Sequence, residues 1–346
     1  MVYIGAFLGA LVLAGLLTSL VRKIALRFRI VDVPGESRKI HTEPIPLLGG
    51  IAPFLSFAIL LALVLLGEPG LLTGEVPARK LIGFIIAGAV LMVGGFFDDR
   101  YKLRPSRQII FPILAALIVI ASGIGIREIT NPFGGVISFI AWQGILLTFL
   151  WLMGMMYTTK VLDGLDGLVS GLTVIGAVMV FFFTTTTQWF QPEVGLLAVL
   201  AAGAFLGFLP WNFHPAKIFL GEGGSLFAGF LLGTLAVISG GKIATTLLVV
   251  GIPLLDAAWV IARRLLWEGR SPARADRKHL HFRLLDVGFS HRAAVIVLWA
   301  IAALFGTLTL VLQSKEKLVA LGILLVLMVI GAVVLVRVAK RKTQHQ

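Results

Sequence analysis

Runs of about twenty apolar residues recur along this chain, and nothing else in the sequence restricts its fold as much. Crossing the roughly 30 Å of bilayer hydrocarbon takes about 20 apolar residues in an α-helix. Eleven such stretches lie in the 346 residues, at about 1–21, 46–67, 80–97, 108–126, 138–157, 165–187, 194–210, 222–239, 244–266, 293–313 and 318–339. The longest gap between them, Arg263 to Arg292, holds about 30 residues, too few for an independent core. The expectation is an all-α, polytopic integral membrane protein with about 11 transmembrane helices and a single multi-span domain over 1–346. Composition agrees. The chain is 58% hydrophobic and only 14% charged, where a soluble domain carries about a quarter charged residues. This excludes a disordered chain or a coiled coil and argues against a soluble enzyme.

Cysteine is absent, which removes disulfides, thiolate metal sites and thiol catalysis. The formal charge of +13 would suggest nucleic acid in a soluble protein. In a membrane protein the first explanation is topology, because Lys and Arg stay on the cytoplasmic side. Alternate loops hold 24 of the 30 basic residues, as expected for eleven spans with the N-terminus outside and the C-terminus in the cytoplasm. Met1–Val21 reads as a retained span and not as a signal peptide, since basic residues follow it instead of preceding it.

The polar chemistry falls at the expected cytoplasmic ends of the spans. Asp98, Asp99, Asp163, Asp166 and Glu222 lie there, with Lys160, His214 and Lys217. Ionisable residues near membrane depth are functional candidates, although each alone is also explained as a solvated helix end. Asp98 and Asp99 repel one another unless a divalent cation or cationic group sits between them. Asp163 and Asp166 are three apart and would share a face of a helix, with Lys160 spaced to pair with Asp163. Glu222 sits in a Gly-rich turn before a helix N-terminus, where N–H groups and the dipole favour anions. The loop around Asp276–Arg283 and Ser290–Arg292 is dense in cations and imidazoles, which suits diphosphate charge. His279-x-His281 spacing also permits a metal, but hard carboxylate donors elsewhere favour Mg2+. Lys39 to Gly50 reads as an entry loop with a cationic edge.

Six segments, KIHTEPIPLLGG, GGFFDDRYKL, LDGLDGL, NFHPAKIFLGEGGSLF, IPLLDAAW and DRKHLHFRLLDVGFSHR, follow one another between about 35 and 292. In this order and spacing the chain resembles the polyprenyl-phosphate N-acetylhexosamine-1-phosphate transferases, closer to their WecA and TagO types than to the muramoyl-pentapeptide translocases. The resemblance implies transfer of a sugar 1-phosphate, with N-acetylglucosamine as the default sugar, from a UDP-sugar to polyprenyl phosphate, with release of UMP. It implies a Mg2+ cofactor, with Mn2+ as a substitute, and a cytoplasmic-face site in the cell membrane. The implied partners are the UDP-sugar, the lipid and the membrane. No nucleic acid is expected, and a homodimer is compatible.

By this resemblance Asp98, Asp99, Asp163 and Asp166 form the catalytic set, and Glu222 with Asp163 the metal ligands. Lys39, His41, Lys160, Asn212, Lys217, His279, His281 and Arg283 form the substrate-binding set. Three departures stand out. Lys160 replaces a usual Asn and Tyr157 another residue. Glu222 replaces a usual Asp. Phe282 replaces a third His, and Leu47 stands where a basic residue is common. A new cation at 160 and a lengthened carboxylate at 222 suggest a compensating pair, or a Lys160 that takes over part of the diphosphate binding. Direct attack by the lipid phosphate and a covalent aspartyl intermediate both remain open. Two rival readings are a relative disabled by Lys160, and a transporter or flippase. The second is opposed by the clustering of carboxylates at one face and by the lack of an internal repeat.

Overall fold

The structure is a computed structural model. It describes residues 1–34, 43–67, 76–186, 190–240 and 279–344, with 246, 247, 251, 254–256, 259 and 260 between them, and side chains as far as 338. In chain order the elements are α1 (Val2–Arg27), β1 (Val31–Asp32), β2 (Ile45–Pro46), α2 (Ile51–Gly67), α3 (Ala78–Tyr101), α4 (Pro105–Gln108) and α5 (Ile110–Ala121). Then follow β3 (Glu128–Thr130), β4 (Val136–Ser138), α6 (Ala141–Leu162), α7 (Leu168–Thr185), α8 (Pro192–Asn212), α9 (Gly221–Ile238), α10 (Leu280–Val287), α11 (His291–Val311) and α12 (Ser314–Gln344). Among the described residues eight helices are long and apolar enough to cross a membrane, namely α1, α3, α6, α7, α8, α9, α11 and α12. The chain is a multi-pass helical membrane protein. The stretch expected to span at 244–266 lies largely outside the described residues.

The helices sort small residues inward and large ones outward. On α1, Ala6, Ala10, Ala14, Thr18, Val21 and Ala25 are buried, while Ile4, Leu8, Val12, Leu16, Leu20 and Ile24 are exposed. In lipid no hydrophobic gain separates these two faces, so helices associate where small residues let backbones approach. Across from α1, a Cβ at Gly203 or Gly207 of α8 would run into the backbone oxygens of Phe7 and Leu11. The hydroxyl of Ser56 in α2 donates to Ala10 O at 2.7 Å and ties the third partner. α9 is the buried centre. Its Phe227 packs edge-on against Phe54 and is stacked with Phe205, and Trp151 Nε1 donates to Gly233 O at 3.0 Å.

Among the described residues two small antiparallel ladders join the helices. Val31 pairs with Pro46 and Asp32 with Ile45, and Glu128–Thr130 pairs with Val136–Ser138. The first ladder explains why α2 starts at Ile51 and not near 46. The pairing with β1 holds Ile45 and Pro46 extended, and the segment after them is sewn to the loop before α9 by Gly49 N to Phe219 O at 2.9 Å and Gly50 N to Leu220 O at 2.7 Å. The span expected at 108–126 is likewise shorter: α5 ends at Ala121, and the chain turns through Gly123 at φ +94° toward the second ladder.

Candidate functional site

The C-terminal ends of α3, α6 and α8 meet the N-terminal ends of α7, α9, α10 and α11 at one end of the bundle. Asp99, in the last turn of α3, accepts the Glu222 N–H with Oδ1 at 3.1 Å, one of the donors a helix start leaves free. Its Oδ2 lies against Gly221, where φ is +75° and a Cβ would collide with it. Asp98 turns elsewhere: its Oδ1 accepts from Leu103 N at 2.9 Å and from Gln108 Nε2 at 2.6 Å. The two adjacent carboxylates therefore have separate protein partners. Side chains at neighbouring helical positions diverge, and each of these braces a different helix end.

Gln108 carries the network onward. Its Oε1 accepts from Lys160 Nζ at 3.2 Å, and Lys160 forms an ion pair with Glu222 Oε1, both side chains largely shielded from solvent. The ammonium also sits 5.6 Å from the centre of the Tyr157 ring. The compensating pair expected from the two departures is present. Lys160 does not pair with Asp163, because α6 ends at Leu162 and the chain turns away there.

Asp163 and Asp166 share a turn and not a helical face, which corrects the expectation from their spacing. Gly164 N bonds back to Leu162 O at 2.6 Å, and Gly167 holds φ +82° at the start of α7, a conformation that favours glycine. The two carboxylates have opposite surroundings. Asp166 Oδ2 meets His214 Nδ1 at 2.7 Å and accepts from Ala216 N at 3.1 Å. Its backbone N–H donates to His291 Nε2 at 2.8 Å. Asp163 has no hydrogen bond or ion pair to its carboxylate among the described residues. Burial first, then the charges of Asp166 and Glu222, push it up to about 7.

A third corner is made by α10. His279 Nδ1 meets Asp256 Oδ2 at 2.8 Å, and Leu280 N donates to Asp256 Oδ1 at 3.0 Å, so Asp256 anchors the start of the helix. His281 stacks parallel to His279 with ring centres 5.7 Å apart. It is buried, and neither ring nitrogen has a hydrogen-bond partner among the described residues. Burial, with the neighbouring His279 and His291, lowers it to about 3. His281 is therefore a neutral imidazole at neutral pH. Its Nε2 faces Gly164, where a Cβ would stand 2.7 Å away. Arg283 lies on the same helix, two residues on.

Asn212, expected at the substrate, is buried with its amide engaged by Ser170 Oγ at 2.7 Å and Ile218 O at 3.1 Å. It shapes the 213–220 loop. Lys217 is exposed on that loop, 5.7 Å from the Trp211 ring centre. Lys39 and His41 lie outside the described residues. Gln108, Asp256 and His291 were not singled out as site residues from sequence, and His214 was named only among the ionisable residues at the span ends. The segments holding all but Gln108 were singled out, but their partners are distant along the chain.

Two sets of residues bear on a metal. Asp166, His214 and His291 bring three ligand atoms within 4.8 Å. Yet the two imidazoles stack at 4.1 Å and 12°, so their in-plane lone pairs run side by side and do not converge on one ion. Asp163 and Glu222 fit better. Asp163 is raised by burial and then by two neighbouring carboxylates, a cation there would favour its charged form, and oxygen donors suit Mg2+.

Comparison with known proteins follows the same lines. The model of glycosyl transferase family 4 matches residues 81–240. The chain is 30% identical, over 94% of its length and 88% of the relative's, to a probable undecaprenyl-phosphate N-acetylglucosaminyl 1-phosphate transferase of Bacillus subtilis. It is 34% identical to a decaprenyl-phosphate N-acetylglucosaminephosphotransferase of Mycolicibacterium smegmatis, over 90% of this chain and 83% of that one. A phospho-N-acetylmuramoyl-pentapeptide-transferase of Desulforamulus reducens is 32% identical over 87% and 91%.

Proposed function

The chain belongs to glycosyl transferase family 4, and from that premise we propose that it transfers N-acetylglucosamine 1-phosphate from a UDP-sugar to a polyprenyl phosphate, releasing UMP. This would be an initiating step of envelope polysaccharide synthesis. The observation that carries the reading is the linkage of 98–99, 160–166, 214–222 and 279–291 at one end of the bundle, where the buried carboxylate of Asp163 feels the charges of Asp166 and Glu222. Exposed Phe96, Phe97 and Tyr101 beside Asp98 and Asp99 offer an apolar approach for an isoprenoid chain. The basic-residue asymmetry supports eleven crossings of the cell membrane, with the N-terminus outside and the site and C-terminus in the cytoplasm.

In this reaction an oxygen of the lipid phosphate attacks the β-phosphorus, and the bond to the UMP oxygen breaks with its electron pair leaving on UMP. The obstacle is repulsion between two anions, so positioning and charge stabilisation carry the catalysis. Asp163 and the Glu222 oxygen not taken by Lys160 would hold Mg2+, which when bound neutralises diphosphate charge. His281 offers a neutral N–H donor and Arg283 a cationic one on the same helix. Asp99 fixes the start of α9, and with it Glu222, while Asp98 fixes Gln108. Both are positioning residues here, and a phosphate monoester, largely ionised at neutral pH, needs no strong base. Asp166 holds the turn that presents Asp163.

The test is incubation of purified protein with UDP-N-acetylglucosamine and undecaprenyl phosphate, with and without Mg2+. The reading expects UMP release that requires both lipid and metal, and a lipid product heavier by one N-acetylglucosamine phosphate. A second reading, a relative without turnover, is favoured by one observation: Lys160 already engages Glu222. Folded protein that releases no UMP from any UDP-sugar would support it and overturn the first.

A further inference from the structure

The ion pair between Lys160 and Glu222 has no counterpart at Asp163 among the described residues, although the charge of Glu222 acts on Asp163. Lys160 is held from three sides. Gln108 accepts from its ammonium, Glu222 pairs with it, and the Tyr157 ring lies one turn earlier on α6. The Gln108 amide is itself oriented, because its nitrogen donates to Asp98 Oδ1 at 2.6 Å while its oxygen faces Lys160. A lysine on a solvated surface would lose rotamer entropy for little gain in such an arrangement. Here the pair is shielded, with 24% and 14% of the two side chains exposed, so the charge interaction is less screened than at a surface.

We infer that Lys160 is a built-in counter-ion of the site: it holds one oxygen of Glu222 and lowers the affinity of the free protein for a divalent cation. This rests on the reading of Asp163 and Glu222 as the residues that hold that cation. Two effects act together. The ammonium competes for a ligand oxygen, and its positive charge repels a second cation placed between Asp163 and Glu222. The ion is then taken up chiefly with the diphosphate, whose negative charge offsets Lys160. Lys160 thus acts through Glu222 as a positioning residue and sets how strongly the site depends on metal concentration.

Mn2+ titration of the purified full-length protein, read by the loss of the free-ion electron paramagnetic resonance signal, tests this without turnover. Lys160→Met and Lys160→Gln are expected to bind Mn2+ about tenfold more tightly than the unaltered protein, roughly the effect of one partly screened unit charge. Lys160→Arg, which keeps the charge, is expected to stay within about twofold. Saturating Mn2+ should also raise the melting temperature more in Lys160→Gln than in the unaltered protein, since tighter binding to the folded state stabilises it more. If one neutral variant fails to fold, the other carries the comparison. Equal or weaker Mn2+ binding in the neutral variants, with binding in the unaltered protein abolished by Glu222→Gln, overturns the inference and leaves the metal site standing. No Mn2+ binding by any of these proteins removes the metal site and the inference with it.

Discussion

Asp163 and Asp166 are three residues apart in one turn, yet they live in different worlds. Asp166 is tied to His214, to the Ala216 N–H and, through its own backbone, to His291. Asp163 has none of these ties among the described residues and is raised by burial and by its carboxylate neighbours. A satisfied carboxylate holds structure, whereas an unsatisfied one stores repulsion that a cation can relieve. The repeated Asp-Gly pattern therefore hides a division of labour, with Asp166 building the corner and Asp163 facing the chemistry.

The comparison breaks first on activity. Asp163→Asn is expected to lower UMP release by about a thousandfold or more, the scale of losing a group that stabilises transition-state charge. Its melting temperature in chelator should not fall, because a repelled charge has been removed. Asp166→Ala is expected to behave oppositely. Losing the Ala216 and His214 contacts costs about 1–3 kcal/mol of stability, visible as a lower melting temperature, with a loss of UMP release of only about tenfold.

A finer contrast lies in pH dependence in metal-free protein. The Asp163 carboxyl is raised from 3.8 to about 7 in the folded state, so its stability contribution is complete below 3.8 and is lost as pH rises through about 7. His281 is lowered from 6.5 to about 3, so its contribution is complete above 6.5 and is lost as pH falls toward about 3. Between 3.8 and 6.5 the two slopes oppose each other, each about 1.4 kcal/mol per pH unit. Melting curves from pH 7 to 5 should show Asp163→Asn losing stability with acidification more steeply than the unaltered protein. His281→Gln should lose less, or gain. The smallest effect is expected at Lys217, exposed on the loop. Lys217→Ala should change the KM for UDP-N-acetylglucosamine by less than about threefold, since an exposed, screened charge contributes little.

The helices were legible because hydrocarbon thickness imposes one length on every span. Their ends were less so. Pro46 lies in a strand whose partner, Val31, is supplied from across a loop, and no local pattern announces that pairing. In the site, the Lys160–Glu222 contact was readable because two departures from a familiar pattern compensate in charge. The 163–167 turn was misread because spacing alone fits a helical face, while Gly167 at φ +82° begins a new helix. Asp256 and His291 were unreadable as partners. An aspartate within an apolar run and a histidine beside Ser290 gain meaning only from His279 and Asp166, and His291 reaches Asp166 across 125 residues.

The most direct test of this account is UMP release from UDP-N-acetylglucosamine and undecaprenyl phosphate in saturating Mg2+, measured side by side for the unaltered protein and Asp163→Asn at equal folded concentration. The account predicts lipid-dependent release by the first and about a thousandfold less by the second. Equal release by the two would contradict it, because the unpartnered carboxylate would then have no part in the transfer.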